Sequence, residues 1–514
     1  MSGNSGVLVF RCDGSISIGS GHMMRCITLA ETLRNFGYRS HFICRELEGN
    51  LISVVAERGF EVHRLLLVPQ PAIDLESTQE EAFHEQADAL ECREIMKAIQ
   101  PERVIVDSYA LGSGWAKNAV PMGCDVLVID DLADRPLLCD IVLNQNFGRQ
   151  VEEYDHLLSS GCKRLIGPLF ALIRPEFAQA RSRSLSRRRG QSLQHLLIAF
   201  GATDPDNCSG KVLAYLLEQR PFLVQRITIV LGAQAPHFAD VLQRARTAPI
   251  PVDVLSGVAD MAELLVGCDA AIGAAGTSVW ERCVLGVPSL LLTFAENQRA
   301  GMIALDAAYA GIALGDAQAM DWQIKLRDAL TRLSDPDVLN FYSERASTIC
   351  EGVGAERVAH VIMSQRLILR DATLDDAPAI WNWRRGGGAE RYYRSPQRGD
   401  INAHIAWFRM ALEDRKRHLL IFEVDSVPVG HIRLDRSEDG QTAEVSICID
   451  LAHRGTGLGA RALGKALDFA QKQGIKALYA EIHHDNFGSL KVFRGLQFDT
   501  VEESTPFLRL RLVL

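Results

Sequence analysis

The sequence is short of the features that would settle its class at once. It has no C-x-x-C pair, its twelve cysteines being scattered from Cys12 to Cys448. Neither a zinc ribbon nor a disulfide framework is signalled, and buried thiols in a reducing compartment are the simpler account. No run of about 18 apolar residues occurs, and Met1 to Gly6 lacks the basic and apolar regions of a signal peptide. A cytoplasmic protein without membrane insertion is therefore expected. Basic residues are not gathered into one broad segment and the formal net charge is −9, which argues against a nucleic-acid partner. No metal-ligand set stands out, so no metal is expected.

What is present points to a multi-domain enzyme. At 514 residues, with 47% hydrophobic and 23% charged, the chain suits about three folding units. Short apolar runs at Val7–Phe10, Arg103–Val106, Val126–Ile129 and Ile141–Leu143 alternate with helical patterns, the mark of a parallel α/β layer. A second series follows at Leu196–Phe200, Ile227–Leu231, Val252–Leu255, Ala270–Ile272 and Ser289–Leu292. Between them the arginine- and serine-rich stretch Arg181–Gln194 lacks a buried-face period and is expected to be an exposed linker. Near Gln365 the texture changes: Asp425–Val429 and Ser437–Gln441 look like hairpin turns, and a long helix is expected over Leu458–Gln473. The expected units are residues 1–180, 181–363 and 364–514, two Rossmann-type halves and an α+β domain.

Two glycine turns carry the chemistry of the first part. Phe10–Arg25 (FRCDGSISIGSGHMMR) is a strand, a Gly/Ser-rich turn and a helix start, a geometry that turns N–H groups toward an anion. His22 lies at its mouth, and an imidazole there can exchange a proton in catalysis; taken alone, such a histidine is more often structural than catalytic. Gly273–Glu281 (GAAGTSVWE) repeats the design, with hydroxyls at Thr277 and Ser278 for diphosphate oxygens and a Glu281 carboxylate for ribose hydroxyls.

From Val7 to about Gly352 the chain resembles the UDP-sugar hydrolases of the pseudaminic-acid pathway, relatives of GT-B glycosyltransferases. The resemblance rests on R-x-D with G-x-G-H-x-x-R (Arg11, Asp13, Gly19, Gly21, His22, Arg25), V-D-S-Y (Asp107, Tyr109) and I-D-D (Asp130, Asp131). It continues in A-L-I-R-P-E-F (Arg174, Glu176), F-G-A-T-D-P-D-N (Gly201, Asp204, Asn207) and A-E-N-Q (Asn297, Gln298). It implies a catalytic His22, with Arg11, Asp13, Gly21, Tyr109, Arg174, Thr277, Ser278, Glu281, Asn297 and Gln298 on the substrate. The implied reaction releases UDP and free sugar from UDP-2,4-diacetamido-2,4,6-trideoxy-altropyranose. Transfer to an acceptor, or a legionaminic-type sugar, is the competing reading.

Farther on, R-G-T-G-L-G (Arg454, Thr456, Gly457, Leu458, Gly459) joins a strand to a helix, and D-N-F-G-S-L-K-V-F follows with Asn486 and Ser489. These resemble the acyl-CoA loop and the later asparagine segment of GNAT-family N-acetyltransferases, which implies acetyl-CoA as co-substrate and a 4-amino UDP-sugar as acceptor. Phe493 stands where that family usually has a proton-donating tyrosine, which keeps a CoA-binding sensor as an alternative. Glu444 and His431, on the preceding strands, are the candidate bases.

Overall fold

The structure, a computed structural model, describes residues 6–16, 18–67, 77–159, 161–319, 321–363, 367–394, 400–424, 427–456 and 458–514. It divides into two compact units, Met1–Ala355 and Glu356–Leu514. The boundary expected near Gln365 falls at residues 364–366, outside the described residues.

The first unit contains two parallel sheets. Strands β1 (Val7–Cys12), β2 (Arg39–Arg45), β3 (Glu61–Leu65), β4 (Arg103–Asp107), β5 (Asp125–Ile129), β6 (Ile141–Asn144) and β7 (Lys163–Ile166) assemble in the order β3-β2-β1-β4-β5-β6-β7. Strands β8 (His195–Ala199), β9 (Arg226–Val230), β10 (Val252–Leu255), β11 (Ala270–Ala274), β12 (Ser289–Thr293) and β13 (Ile312–Asp316) follow as β10-β9-β8-β11-β12-β13. Apart from Val252–Leu255, which is edge strand β10, the apolar runs are central strands covered on both faces, which is why they read as continuous hydrophobic stretches. β2, β3, β7 and β13 carry His, Arg, Lys or Asp and give no such run. In each sheet the order reverses once, between β1 and β4 and between β8 and β11. A crevice opens there beyond the carboxyl ends of the strands, and ligands bind in such crevices.

The second unit holds a mixed sheet in the order β14-β15-β16-β17-β18-β20-β19. Its strands are β14 (Leu367–Asp371), β15 (Arg417–Val424), β16 (Val427–Arg436), β17 (Thr442–Ile449), β18 (Ala477–His483), β19 (Asp499–Ser504) and β20 (Phe507–Val513). All neighbours are antiparallel except β17 and β18. β15 and β16 pair as far as Val424 and Val427, while Asp425 and Ser426 of the expected turn lie outside the described residues. The turn at Ser437–Gln441 closes with Gly440 N–H on Ser437 O at 3.0 Å, and the long helix spans Leu458–Lys472. Among the described residues no helix is long and apolar enough to cross a membrane.

One expectation is overturned. Most of the Arg181–Gln194 stretch is not an exposed linker but the end of a helix, Pro175–Arg188, packed on the second sheet's helices. Arg181 and Arg188 end on carbonyls that helix C-termini leave without intrahelical partners. Arg181 donates to Val284 O at 2.5 Å and Ser347 O at 2.7 Å, closing helices Ser278–Val284 and Pro336–Ser347. Arg188, buried, donates to Leu265 O at 2.8 Å and Cys268 O at 2.7 Å at the end of helix Met261–Gly267. Burial lowers its guanidinium to about 10. A hydrophobicity pattern cannot reveal this helix, because its buried face is made of Ser184 and Arg188 as well as Phe177 and Ala180.

Arg188→Met keeps the volume but leaves those carbonyls without donors, and is expected to cost about 2–3 kcal/mol of stability by urea denaturation. The exposed neighbour change Arg189→Met should stay within about 0.5 kcal/mol.

Candidate active sites

At the first switch point β1 and β4 run side by side, Cys12 opposite Asp107. The chain then turns through Asp13–Ser20, with Gly19 at φ +83° in the left-handed region that glycine tolerates and its N–H on Ser15 O at 2.9 Å. Helix Gly21–Asn35 starts from this turn and presents His22 to the end of β4. His22 Nδ1 lies 2.5 Å from Asp107 Oδ1. Asp107 also accepts Arg25 Nε at 2.7 Å and Nη2 at 2.6 Å. Burial pushes the Asp107 carboxyl up, but the Arg25 guanidinium and His22 outweigh it and hold the group well below the usual carboxylate range. An ionised Asp107 only accepts, so Nδ1 carries the proton and Nε2 is the basic nitrogen.

The network extends outward. Arg25 Nη1 reaches Asp131 at 2.9 Å, and Tyr109 donates its hydroxyl to Asp131 at 2.7 Å. The Tyr109 ring stands edge-on to His22, centroids 4.7 Å apart. Asn146 Nδ2 and Arg149 Nη2 bind Asp131 at 2.8 Å through Oδ1 and the backbone carbonyl. Asn146 and Arg149 were not singled out from the sequence; they belong to the loop after β6, where only a tertiary contact reveals them.

The second glycine turn faces the first. A methyl placed on Gly21 would lie 3.4 Å from Thr277 Oγ1, and one on Gly276 would lie 3.8 Å from Gln298 Nε2. Gly273 is demanded by packing, since a methyl there would meet Arg282 Nη1 at 2.3 Å and Ala199 O at 2.4 Å. Thr277 immediately precedes helix Ser278–Val284 without a side-chain capping bond, and Ser278 is the helix's first residue. Asn297 and Gln298 stand in the first turn of helix Glu296–Ala307. Gln298 Oε1 accepts Phe294 N–H at 3.1 Å, while buried Asn297 Oδ1 has no hydrogen-bond partner among the described residues. Asp204 and Asn207 accept the first N–H groups of helix Cys208–Glu218, a capping role.

Four substrate candidates are corrected or qualified. Arg11, 2% exposed, is spent on Asp88 at 2.6 and 3.0 Å and Asp13 at 2.7 Å. Asp13 also accepts Arg45 N–H at 2.8 Å. Arg11 and Asp13 therefore tie β1 to β2 and to helix Ser77–Ile99 instead of reaching a ligand. Arg174 and Glu281 are paired with each other at 3.3 Å, so a ribose hydroxyl must share Glu281 with Arg174. Burial raises the Glu281 carboxyl and Arg174 opposes that.

The second unit has its own cavity, of about 640 Å³. β17 and β18 pair in parallel only over Thr442–Glu444 and Ala477–Tyr479. Beyond that the strands separate, and Val445–Ile447 and Ala480–His483 become the cavity's walls, their separated edges suited to an extended amide-bearing ligand. Glu444, Asn486, Ser489 and Phe493 also line it. Burial, then Glu481, raises the Glu444 carboxyl. His431 does not line the cavity: it is buried and lowered to about 3 by desolvation, which withdraws it as a base in contact with substrate. Sequence reading also missed Trp381, Trp407, Tyr392, Tyr393 and Glu481; the run Arg391–Arg394 (RYYR) was the available signal.

The glycine loop is more structural than expected. Arg454 turns inward, Nε to Ile449 O at 3.0 Å and Nη2 to Trp383 O at 3.2 Å. Thr456 Oγ1 donates to His453 O at 2.8 Å, and Leu458 is core. A methyl on Gly459 would lie 2.9 Å from Ile449 Cδ1, so this glycine lets helix meet strand. Gly457 lies outside the described residues. Asn486 caps helix Phe487–Gly495 by accepting Ser489 N–H at 3.1 Å. Elsewhere His41, Glu61 and His63 cluster on β2 and β3, the two imidazoles within hydrogen-bond distance at 3.2 Å.

Comparison with known proteins agrees with this layout. The Acetyltransferase (GNAT) domain family matches residues 366–499. An uncharacterized protein of Methanocaldococcus jannaschii is 24% identical over 95% of this chain and 95% of its own length. The UDP-2,4-diacetamido-2,4,6-trideoxy-beta-L-altropyranose hydrolase of Campylobacter jejuni is 28% identical over 41% of this chain and 65% of its own length. The crystal structure of Acinetobacter baumannii MurG aligns with a TM-score of 0.51 at 15% identity, covering 70% of this chain and 99% of that one. The chain is thus a GT-B-like pair of Rossmann-type layers followed by a GNAT domain, and its similarities are to enzymes of sugar-nucleotide modification and acetylation.

Because Asp107 is depressed in the folded state, its contribution to stability is complete above the ordinary aspartate pKa of about 4 and is lost as pH falls below it. The stability gap between wild type and Asp107→Asn, from urea midpoints, should be constant above about pH 5 and narrow below about pH 4.

Proposed function

We propose that the first unit hydrolyses a UDP-linked diacetamido sugar of the 2,4,6-trideoxy-altropyranose type, and that the second acetylates the 4-amino group of its UDP-sugar precursor from acetyl-CoA. The observation that carries the first half is the His22–Asp107 pair at a switch point, on a turn whose Gly21 approaches Thr277 of the second glycine turn. The similarity to the Campylobacter jejuni hydrolase supports the substrate class.

In this reading His22 Nε2 takes a proton from water as its oxygen attacks the anomeric carbon. The bond from that carbon to the diphosphate oxygen breaks, and UDP leaves toward the Gly276–Ser278 turn, whose N–H and hydroxyl groups meet the developing charge. Asp107 holds the imidazolium until its proton returns to solvent. Asp13 and Arg11 only support this loop.

In the second unit Glu444 accepts the proton of the attacking amine, the nitrogen bonds to the acetyl carbon and the CoA thiolate departs. Phe493 has no proton for that thiolate. The wall hydroxyls of Tyr392, Tyr393, Ser446 and Ser489 are the acids at hand. A neutral acetamide then suits the first unit's cleft better than an ammonium, which would have to shed water to enter. The cytoplasm supplies both UDP-sugars and acetyl-CoA, and suits both steps.

His22→Ala should reduce UDP release from the diacetamido UDP-sugar, without any acceptor present, by about 10²–10⁴-fold, while UDP binding by calorimetry is unchanged. Wild-type rates in the variant would remove His22 from the chemistry. No UDP release by the wild type without an acceptor would favour glycosyl transfer.

A further inference from the structure

Glu481 and Arg394 both line the cavity of the second unit and face each other as an ion pair, Arg394 Nη1 to Glu481 Oε1 at 3.4 Å. Glu481 is on β18, in the stretch that has parted from β17, close enough to Glu444 to act on its charge. Arg394 is anchored at the rim by its guanidinium over the Phe507 ring, 5.5 Å from the centroid. The other arginines of the wall are differently engaged: Arg433 binds Asp435 at 2.8 Å, and Arg384 lies over the Tyr393 ring at 4.5 Å.

Resting on the acetyltransferase reading above, we infer that the Arg394–Glu481 pair selects the acceptor by exchange: an amine that also carries a phosphate replaces both partners at once, its ammonium on Glu481 and its phosphate on Arg394. The pair is open to solvent, with side chains 61% and 27% exposed, and such pairs contribute little by themselves. Opening it therefore costs little provided each charge finds a new partner. A free amino sugar offers only an ammonium. It takes Glu481 and leaves Arg394 as a like charge beside it, without its carboxylate. A sugar amine attached to a nucleoside diphosphate satisfies both groups, and the guanidinium fork fits phosphate oxygens. Glu444 stays free to take the proton.

The test uses the full-length protein, acetyl-CoA and CoA-thiol release, with two acceptors: a UDP-linked 4-amino sugar and the same amino sugar freed of UDP. Wild type is expected to favour the nucleotide in kcat/KM by at least about tenfold, the size of one charge-assisted contact. Arg394→Gln should lower kcat/KM for the nucleotide by about tenfold and raise it for the free sugar, whose ammonium no longer sits beside a like charge, so that the ratio collapses. Glu481→Gln should weaken both acceptors. A merely structural ion pair would lower both acceptors equally in Arg394→Gln, and an unchanged ratio overturns the inference. If wild type acetylates both acceptors equally well, the inference falls and the acetyltransferase reading stands. If wild type releases no CoA with either amine, that reading falls and takes the inference with it.

Discussion

The first unit is organised around one buried carboxylate. Asp107 ends a central strand, is fully enclosed, and receives the Arg25 guanidinium through two hydrogen bonds as well as the His22 imidazole. A carboxylate taken out of water is tolerated only when its oxygens are occupied in this way. The same contacts settle the histidine tautomer and hold the first turn of helix Gly21–Asn35 against β4. Fold and chemistry depend on each other here: loss of the carboxylate would leave Arg25 buried with only Asp131, and His22 without orientation.

The second unit depends on a missing interaction. β17 and β18 pair over three residues and then part, so the sheet contains an opening instead of continuous hydrogen bonds. Unpaired strand edges seek partners, and the cavity between them is walled by aromatic rings, arginines and two carboxylates. Close packing keeps the opening in shape: Gly459 lets its helix approach Ile449, and Arg454 binds the carbonyls of Ile449 and Trp383. The glycine loop thus supports the site from inside.

Much of the layout was legible in the chain. Central strands show because parallel strands buried on both faces are continuous apolar runs, and both glycine turns show because close approach admits no side chain. Edge strands β3 and β7 did not, since they expose polar residues, whereas edge strand β10 did. Helix Pro175–Arg188 did not, since it buries arginines whose partners are the ends of three other helices. Arg11 and Arg25 illustrate the limit: both belong to one motif, yet one anchors strands and the other orders the histidine.

By itself the sequence determined the kind of layers, the positions of the glycine turns, and His22 and Glu444 as candidates for proton transfer. These follow from periodicity and from local conformational demands, which act over a few residues. Only the tertiary structure decided that Asp107, 85 residues away, sets the tautomer of His22, that His431 is sealed in the core, and that Arg394 meets Glu481. Burial and charge pairing are properties of the packed whole, because the desolvation that gives them their weight arises only when distant segments exclude water together.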